Sequence, residues 1–130
     1  MYRATTRDII VTVEPEYSTE RSSPESGAYF WTYTITIHNA GAETVQLINR
    51  HWHIVDAQGK SFEVKGPGVI GEQPVLAPGD SFRYTSGVPL ATPSGMMSGH
   101  YEMVGSSGAG FEVEVPGFSL DSPDEGRSIN

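Results

Sequence analysis

The chain has 130 residues, enough for one domain with a real core, and it contains no cysteine, so disulfides and thiolate chemistry are excluded. Its net charge of −8 and the scattered positions of its 8 Lys and Arg residues argue against non-specific binding to nucleic acid. There is no recognisable secretory leader or membrane-spanning run, so we expect a soluble, cytoplasmic protein with no membrane insertion.

The first third of the chain predicts two strands. Residues 1–7 are expected to be a loose lead-in, and residues 8–14 alternate in a way that is typical of a strand. Pro15 ends this strand or places it at a sheet edge. Residues 16–27 are acidic and polar and predict a long, mobile connection. Residues 29–39 give the strongest strand pattern, with aromatic and branched side chains on one face and a row of threonines on the other.

The next segment predicts a hairpin. Residues 48–56 and 61–65 form its two arms, joined by a turn at Ala57, Gln58 and Gly59. Before residue 48 the apolar side chains fall at odd positions, and after it they fall at even positions. Because side chains alternate between the faces of a strand, this shift requires a bulge or a change of sheet.

The remaining chain predicts three further strands separated by turns. Residues 66–79 lack clear periodicity and lead into the Pro-Gly turn that precedes a strand over 81–87. Strands are also expected over 99–104 and 111–115, the last one ending at Pro116. Residues 121–130 are expected to be a frayed, polar tail.

These patterns predict an all-β fold. About seven strands, no helix of three turns and frequent turn signals are typical of a two-sheet antiparallel β-sandwich. We expect residues 1–120 to form one domain and residues 121–130 to form the C-terminal tail. The predicted core consists of the inward-facing apolar residues Ile9, Val11, Trp31, Tyr33, Ile35, Trp52, Ile54, Phe82, Tyr101, Phe111 and Val113.

A glycine-rich segment matches the pattern GxGxxG through Gly66, Gly68 and Gly71. In a dinucleotide-binding fold this pattern opens a helix whose N-terminus binds pyrophosphate. Here the segment continues towards Pro74, and Pro67 removes one N–H that could have met a phosphate. We interpret the segment as a structural loop, and a pyrophosphate or nucleotide site formed by these glycines remains the alternative.

Two histidines, His51 and His53, lie two residues apart and would face the same side of a regular strand. Such a pair can supply two metal ligands, and a third would have to come from His38, His100 or a carboxylate. The alternative is a pair of solvent-facing polar residues opposite a buried Trp52.

The position of Arg50 in an apolar run predicts that it points inward. A buried guanidinium needs a carboxylate or several carbonyls, and we favour a structural ion pair with Asp56, Glu72 or Asp80 over an anion-binding role. Since the serines lie in Gly/Pro turns and nothing resembles a nucleophile with its base, we expect neither enzymatic activity nor a cofactor.

Several of these features occur together in one family. The segments are Arg-x-Trp at 50–52, Gly-Val-Ile-Gly-Glu-Gln-Pro at 68–74, Pro-Gly-Asp at 78–80 and FEVEVPGFSL at 111–120. In these segments and over residues 8–120 as a whole, the chain closely resembles the ApaG domain. One departure is Pro67, because the glycine loop of the family often has another residue at this position. The resemblance implies an immunoglobulin- or fibronectin-III-like sandwich. It also implies a link to cobalt resistance and magnesium efflux, and it supplies no catalytic residues.

The functional expectation combines the residue patterns with this resemblance. We expect a non-enzymatic protein-interaction module that is associated with divalent-cation homeostasis and binds a still unidentified protein partner. The alternative is a small-ligand binder. It would bind a divalent cation weakly through His51 and His53, or pyrophosphate or a nucleotide through residues 66–71.

Overall fold

The computed structural model describes residues 1–123, which form nine β-strands and one short 3-10 helix. No helix within these residues is long and apolar enough to cross a bilayer. In chain order the elements are β1 (Tyr2–Thr6), β2 (Ile9–Tyr17), the 3-10 helix (Pro24–Ser26), β3 (Tyr29–Asn39), β4 (Val45–Asp56), β5 (Ser61–Pro67), β6 (Val75–Leu76), β7 (Ser81–Leu90), β8 (Ser94–Gly105) and β9 (Gly110–Asp121).

The strands form two antiparallel sheets that pack as a sandwich. The first sheet has the order β1-β2-β3-β7, and the second has the order β5-β4-β8-β9, with β6 also pairing with β4. The long strands β2, β3 and β7 take the places of A, B and E in an immunoglobulin-like sandwich, and β4, β8 and β9 take those of C, F and G. This confirms the predicted fold class; β1 and the two-residue β6 account for the excess over about seven strands.

The core lies between the two sheets and follows the alternation of the sequence. Trp52 is central to it, with Tyr33 at a ring-centroid distance of 5.5 Å and Tyr101 at 6.3 Å, both edge to face. All predicted core residues are buried except Phe82 and Phe111, which are partly buried and pack against the core. Each fully buried large apolar side chain contributes roughly 1.5–3 kcal/mol, so this cluster is the main source of stability.

The change of hydrophobic phase in β4 is a β-bulge, as the sequence predicted. Leu47 pairs with Met103 and Asn49 with Glu102, so β4 holds one more residue than β8 at this point. The bulge keeps Leu47 in the core while turning the following even-numbered residues, beginning with Arg50, to the inner face.

The N-terminal lead-in is a strand, which corrects the prediction for residues 1–7. Arg7 and Asp8 both adopt positive φ, at 46° and 64°, and form the two-residue turn of a β1–β2 hairpin. Asp8 is compatible with such a turn, but the turn contains no glycine, the residue that most clearly marks a two-residue hairpin, so no hairpin was predicted here. Side-chain hydrogen bonds then join β1 to β9: Tyr2 Oη lies 2.9 Å from Ser119 Oγ, and Thr6 Oγ1 accepts the N–H of Glu114 at 3.1 Å. One side of the sandwich is therefore closed.

The prolines that were expected to end strands, Pro15 and Pro116, lie inside them. Pro15 lies within β2, which extends to Tyr17 and so shortens the connection predicted for residues 16–27. Because β1 pairs with β2 only as far as Val13, Pro15 lies where β2 has no neighbour on that side. Pro116 does not end β9 as predicted, because a second bulge sits there: Val115 pairs with Gly99 and Phe118 with Met97. The bulge removes the need for the missing N–H.

The end of β9 changes the predicted tail. Asp121 is still part of β9, and its carbonyl oxygen accepts the Trp31 Nε1–H at 2.8 Å. The first residue of the tail predicted for 121–130 is thus part of a strand, and residues 124–130 lie outside the described part of the chain.

Candidate functional site

The outer face of the second sheet carries the predicted histidine pair. His51 and His53 both lie on β4 and point outward, while Trp52 between them is buried. His51 is half-buried and His53 is exposed. The predicted common face of the two imidazoles is therefore present in the structure.

A third histidine lies beside His51 and comes from another strand. His100 on β8 pairs with His51 in the sheet register, and the two ring centroids are 4.9 Å apart in an edge-to-face arrangement. Sequence reasoning named His100 only as one of several possible third ligands, because the register of strands that are distant in the chain is not visible in a local pattern.

Each of these two imidazoles meets a carboxylate. His51 Nε2 lies 2.9 Å from Glu63 Oε2, and His100 Nε2 lies 3.5 Å from Glu112 Oε2. The hydrogen bond with His51, together with the nearby charge of Lys65, lowers the pKa of Glu63. Within residues 1–123 no three His, Asp or Glu side chains are grouped so that they could hold a metal ion. A cation at His51 would have to compete with the existing contact to Glu63.

The surface around the histidines is concave. A depression of about 320 Å³ is lined by His51, His53, His100 and neighbouring parts of β8 and β9. Gly99 and Gly117 also line it, and Gly99 has to be glycine because a Cβ there would overlap the carbonyl oxygen of His51 and press on the ring of Trp52. This depression is open and polar, with room for a small hydrated ligand.

The amides of the glycine-rich loop are used within the chain. Gly66 is part of β5 and pairs with Arg50, while the Gly68 N–H donates to the carbonyl of Ile48 at 2.8 Å. A Cβ at Gly68 would overlap the carbonyl oxygen of Glu72, so the close backbone approach requires glycine at this position.

The rest of the loop is a tight turn. Ile70 and Gly71 have φ of 43° and 80°, which are the values of a type I′ turn. The residues on either side, Val69 and Glu72, exchange N–H to carbonyl hydrogen bonds of 2.8 and 2.9 Å. The described chain continues into β6 rather than into a helix, so the amides do not converge as they would on a bound phosphate.

Arg50 binds backbone carbonyls instead of the predicted carboxylate. Its Nη1 donates to the carbonyl oxygens of Pro67 at 3.1 Å and Gly68 at 3.0 Å, and in the described part of the chain it forms no ion pair. The cross-strand partner of Arg50 is Gly66, which has no side chain. The guanidinium can therefore lie over Gly66 and reach the carbonyls of the two residues that follow it. The predicted ion pair with Asp56, Glu72 or Asp80 is therefore wrong.

A cluster of buried tyrosines lies within the electrostatic range of Arg50. The hydroxyls of Tyr84 and Tyr101 are hydrogen-bonded at 2.5 Å, joining β7 to β8 across the sandwich. Burial raises the pKa of Tyr33, Tyr84 and Tyr101, whereas the charge of Arg50 acts in the opposite direction on all three. The guanidinium thus stands between this cluster and the β5 side of the sandwich.

One edge of the second sheet is open at β5. Among the described residues β5 pairs only with β4. At the two ends of this strand pair, the Asp56 N–H donates to the Lys60 carbonyl and the Gly68 N–H donates to the Ile48 carbonyl. In an antiparallel pair every second residue is hydrogen-bonded to the neighbouring strand, so the β5 residues bonded to β4 are Phe62, Val64 and Gly66. The N–H and C=O groups of the intervening residues 61, 63 and 65 therefore point away from the sheet and have no strand partner there.

Exposed apolar side chains follow the same edge. We use the name β5–β6 edge for residues 61–76, which comprise β5, the following loop and β6. Four large apolar side chains are exposed along it, by the following fractions: Phe62 41%, Val64 40%, Ile70 55% and Val75 58%. In the described chain the other exposed large apolar residues are Met1 and Met96 alone. Sequence reasoning missed this surface because alternating Phe62 and Val64 read like an ordinary core-facing strand.

Comparison with known proteins identifies the family. The family model described as the ApaG domain matches residues 19–105. The chain is 62% identical over 130 residues to "Protein ApaG" of Bradyrhizobium diazoefficiens, with 100% of both chains covered. It is 59% identical over 128 residues to "Protein ApaG" of Rhodospirillum centenum, with 98% of both chains covered.

Solved structures agree with the sequence comparison. The crystal structure of an ApaA protein from Bordetella pertussis superimposes with a TM-score of 0.87 at 46% identity, covering 92% of this chain and 97% of that one. The family match, the full-length relatives and the shared sandwich all point in one direction, and the chain belongs to the ApaG domain family.

Proposed function

We propose that this protein is a non-enzymatic, cytoplasmic protein-interaction module that binds a partner protein at the β5–β6 edge. The observation that carries the proposal is the coincidence of exposed apolar side chains with an unpaired strand edge. Four of the six exposed large apolar residues of the described chain lie in this one segment, and an edge strand with free N–H and C=O groups is a template for a further strand.

Strand addition uses both parts of this surface. Backbone hydrogen bonds to residues 61, 63 and 65 supply affinity without regard to sequence, whereas contacts with Phe62 and Val64 supply selectivity. Among the described residues, the other edge strands, β1, β7 and β9, expose no large apolar side chain, and side-chain hydrogen bonds join β1 to β9. The β5–β6 edge is therefore the surface that best fits a docking role.

The physiological role that we propose is in divalent-cation homeostasis, as the resemblance to the family implies. An interaction module can influence cobalt resistance or magnesium efflux by regulating a transporter, without binding the ion itself. The concave outer face gives weak direct cation binding as a second candidate, because the His51 and His100 rings lie side by side and can supply two ligands.

Site-specific photo-crosslinking in growing cells tests the docking role. A photoreactive amino acid at position 64 should give a recurrent adduct with one protein partner. The same amino acid at position 36, on the outer face of the first sheet, is the control and should give no such adduct. Equal adduct patterns from the two positions, or none from position 64, would contradict the proposal.

Calorimetry with Co²⁺ and Mg²⁺ on untagged protein tests the second candidate. The interaction role alone predicts no stoichiometric heat of binding. A micromolar Co²⁺ site that is lost in a His51→Ala, His53→Ala double variant would establish direct metal binding through the predicted pair. Loss in His100→Ala but not in His53→Ala would assign such a site to the cross-strand pair instead.

A further inference from the structure

The charge of the β5–β6 edge differs from that of the whole protein. The chain carries a net charge of −8, yet both of its lysines, Lys60 and Lys65, lie at β5, and Arg50 reaches the same strand from β4. The acidic residue within β5 is Glu63, which already contacts His51 at 2.9 Å and Lys65 at 3.8 Å. Glu72 lies farther along, in the loop after β5, so the cationic part of the edge is β5 itself, with Lys60, Lys65 and Arg50 against Glu63. This part of an acidic molecule favours an acidic partner.

Arg50 has donors to spare beside this edge. Its guanidinium covers the inner side of Gly66, where a Cβ would lie 3.0 Å from Nη1. In the described part of the chain only Nη1 donates hydrogen bonds, and both go to carbonyls. No buried polar side-chain atom there lacks a partner, so Nε and Nη2 reach solvent. A half-buried guanidinium with a free side is suited to a two-pronged pair with a carboxylate.

The register of an added strand follows from β5. Positions 62, 64 and 66 share the inner face, so residues opposite them on a new strand also share one face. Two of these residues would contact Phe62 and Val64, and the third would face Gly66, where the Arg50 guanidinium lies. On the other face, the residue opposite position 65 would meet Lys65.

We propose that the β5–β6 edge binds an extended acidic–apolar segment of a partner protein, in which two apolar residues at alternate positions contact Phe62 and Val64 and a carboxylate at the next alternate position pairs with Arg50. This inference rests on the proposed interaction role and specifies the chemistry of the partner. A second acidic residue, opposite Lys65, adds to the preference for an acidic segment.

A second copy of this chain is a poorer occupant. Antiparallel self-pairing centred on Val64 would place Phe62 of one copy opposite Gly66 of the other, so Arg50 would receive no carboxylate. Self-pairing centred on Glu63 would place two glutamates directly opposite each other, which is destabilising. The lysines at this edge also act against self-association.

Two synthetic peptides test the proposal on the full-length chain. Both have seven residues, with valine at the fifth and seventh positions and threonine elsewhere, except that the third position is glutamate in one and lysine in the other. When such a peptide adds antiparallel to β5, its third, fifth and seventh positions lie opposite residues 66, 64 and 62. Titration of ¹⁵N-labelled protein should shift the amides of residues 61, 63 and 65. The glutamate peptide should bind about tenfold more tightly than the lysine peptide, as expected for one charge-assisted bidentate pair. Arg50→Gln should remove most of this preference while retaining the shifts.

The controls separate this inference from the interaction role. If Arg50→Gln fails to fold, Gly66→Ala gives the same test, because its methyl group would displace the guanidinium. Equal affinities of the two peptides, or no shift at residues 61, 63 and 65, would overturn the acidic–apolar segment. Protection of these amides in a dimer of the chain would overturn it in favour of a second copy. The photo-crosslinking experiment at position 64 decides independently whether the interaction role stands.

Discussion

Replacing Phe118 by alanine is expected to be one of the most destabilising single changes in this protein. Phe118 is 0% exposed and contacts Tyr2, Tyr33 and Trp52 at centroid distances of 6.0, 5.9 and 6.2 Å. Removing a buried phenyl ring leaves a cavity between the two sheets. Such changes cost about 3–5 kcal/mol, a large share of the roughly 5–15 kcal/mol that stabilises a domain.

Phe62 provides a matched control for the same chemical change. It lies at the β5–β6 edge and is 41% exposed. Phe62→Ala should lower the free energy of unfolding by only about 1 kcal/mol, the loss of strand propensity and of its contact with Lys60, because no cavity forms. Urea unfolding followed by tryptophan fluorescence gives both values, and an unchanged m-value would show that the unfolded states are comparable.

The comparison between these two variants decides the argument. A small effect of Phe118→Ala would mean that β9 does not cross Pro116 and enter the core. An effect of Phe62→Ala as large as that of Phe118→Ala would mean that the β5–β6 edge is covered within the monomer.

Three further predictions concern the tyrosines and the glycine-rich loop. Burial raises the pKa values of Tyr33, Tyr84 and Tyr101, so the stability that their protonated forms contribute should be constant below about pH 10 and be lost above it. Tyrosinate absorbance should show these buried tyrosines ionising at higher pH than exposed ones. Gly68→Ala should lower the free energy of unfolding by more than about 2 kcal/mol, because the new Cβ would overlap the Glu72 carbonyl oxygen at a position with positive φ. Gly71 also has positive φ but no atom near the new Cβ, so Gly71→Ala should cost less in the same urea assay. Titration with ATP, a dinucleotide or pyrophosphate should leave the amides of Gly66, Gly68 and Gly71 unmoved; saturable shifts at micromolar ligand would establish an anion site.

The sequence was sufficient to predict the sandwich because its strands alternate regularly. The phase change near residue 48 even located the bulge in β4, since a shift from odd to even positions has few structural solutions. The hairpin of β4 and β5 was predictable for the same local reasons, as its turn contains Gly59 at a φ of 83°.

The features that sequence reasoning missed depend on contacts between distant segments. Pro116 looks like a strand terminator, and only its place in a bulge opposite β8 lets β9 continue to Phe118. The neighbour of His51 is His100, which the register of β4 and β8 decides. Arg50 was expected to need a carboxylate, but the absence of a side chain at Gly66 lets it reach backbone carbonyls. A single-strand pattern contains none of this information.

Amide hydrogen exchange along β5 tests the docking edge most directly. In the free protein the amides of residues 61, 63 and 65 should exchange much faster than those of 62, 64 and 66, which are bonded to β4. Saturation with the glutamate peptide should slow exchange at 61, 63 and 65 and leave the other three unchanged. Protection of residues 61, 63 and 65 in the free monomer, or fast exchange at these positions in the saturated complex, would contradict the assignment of this edge as the binding site.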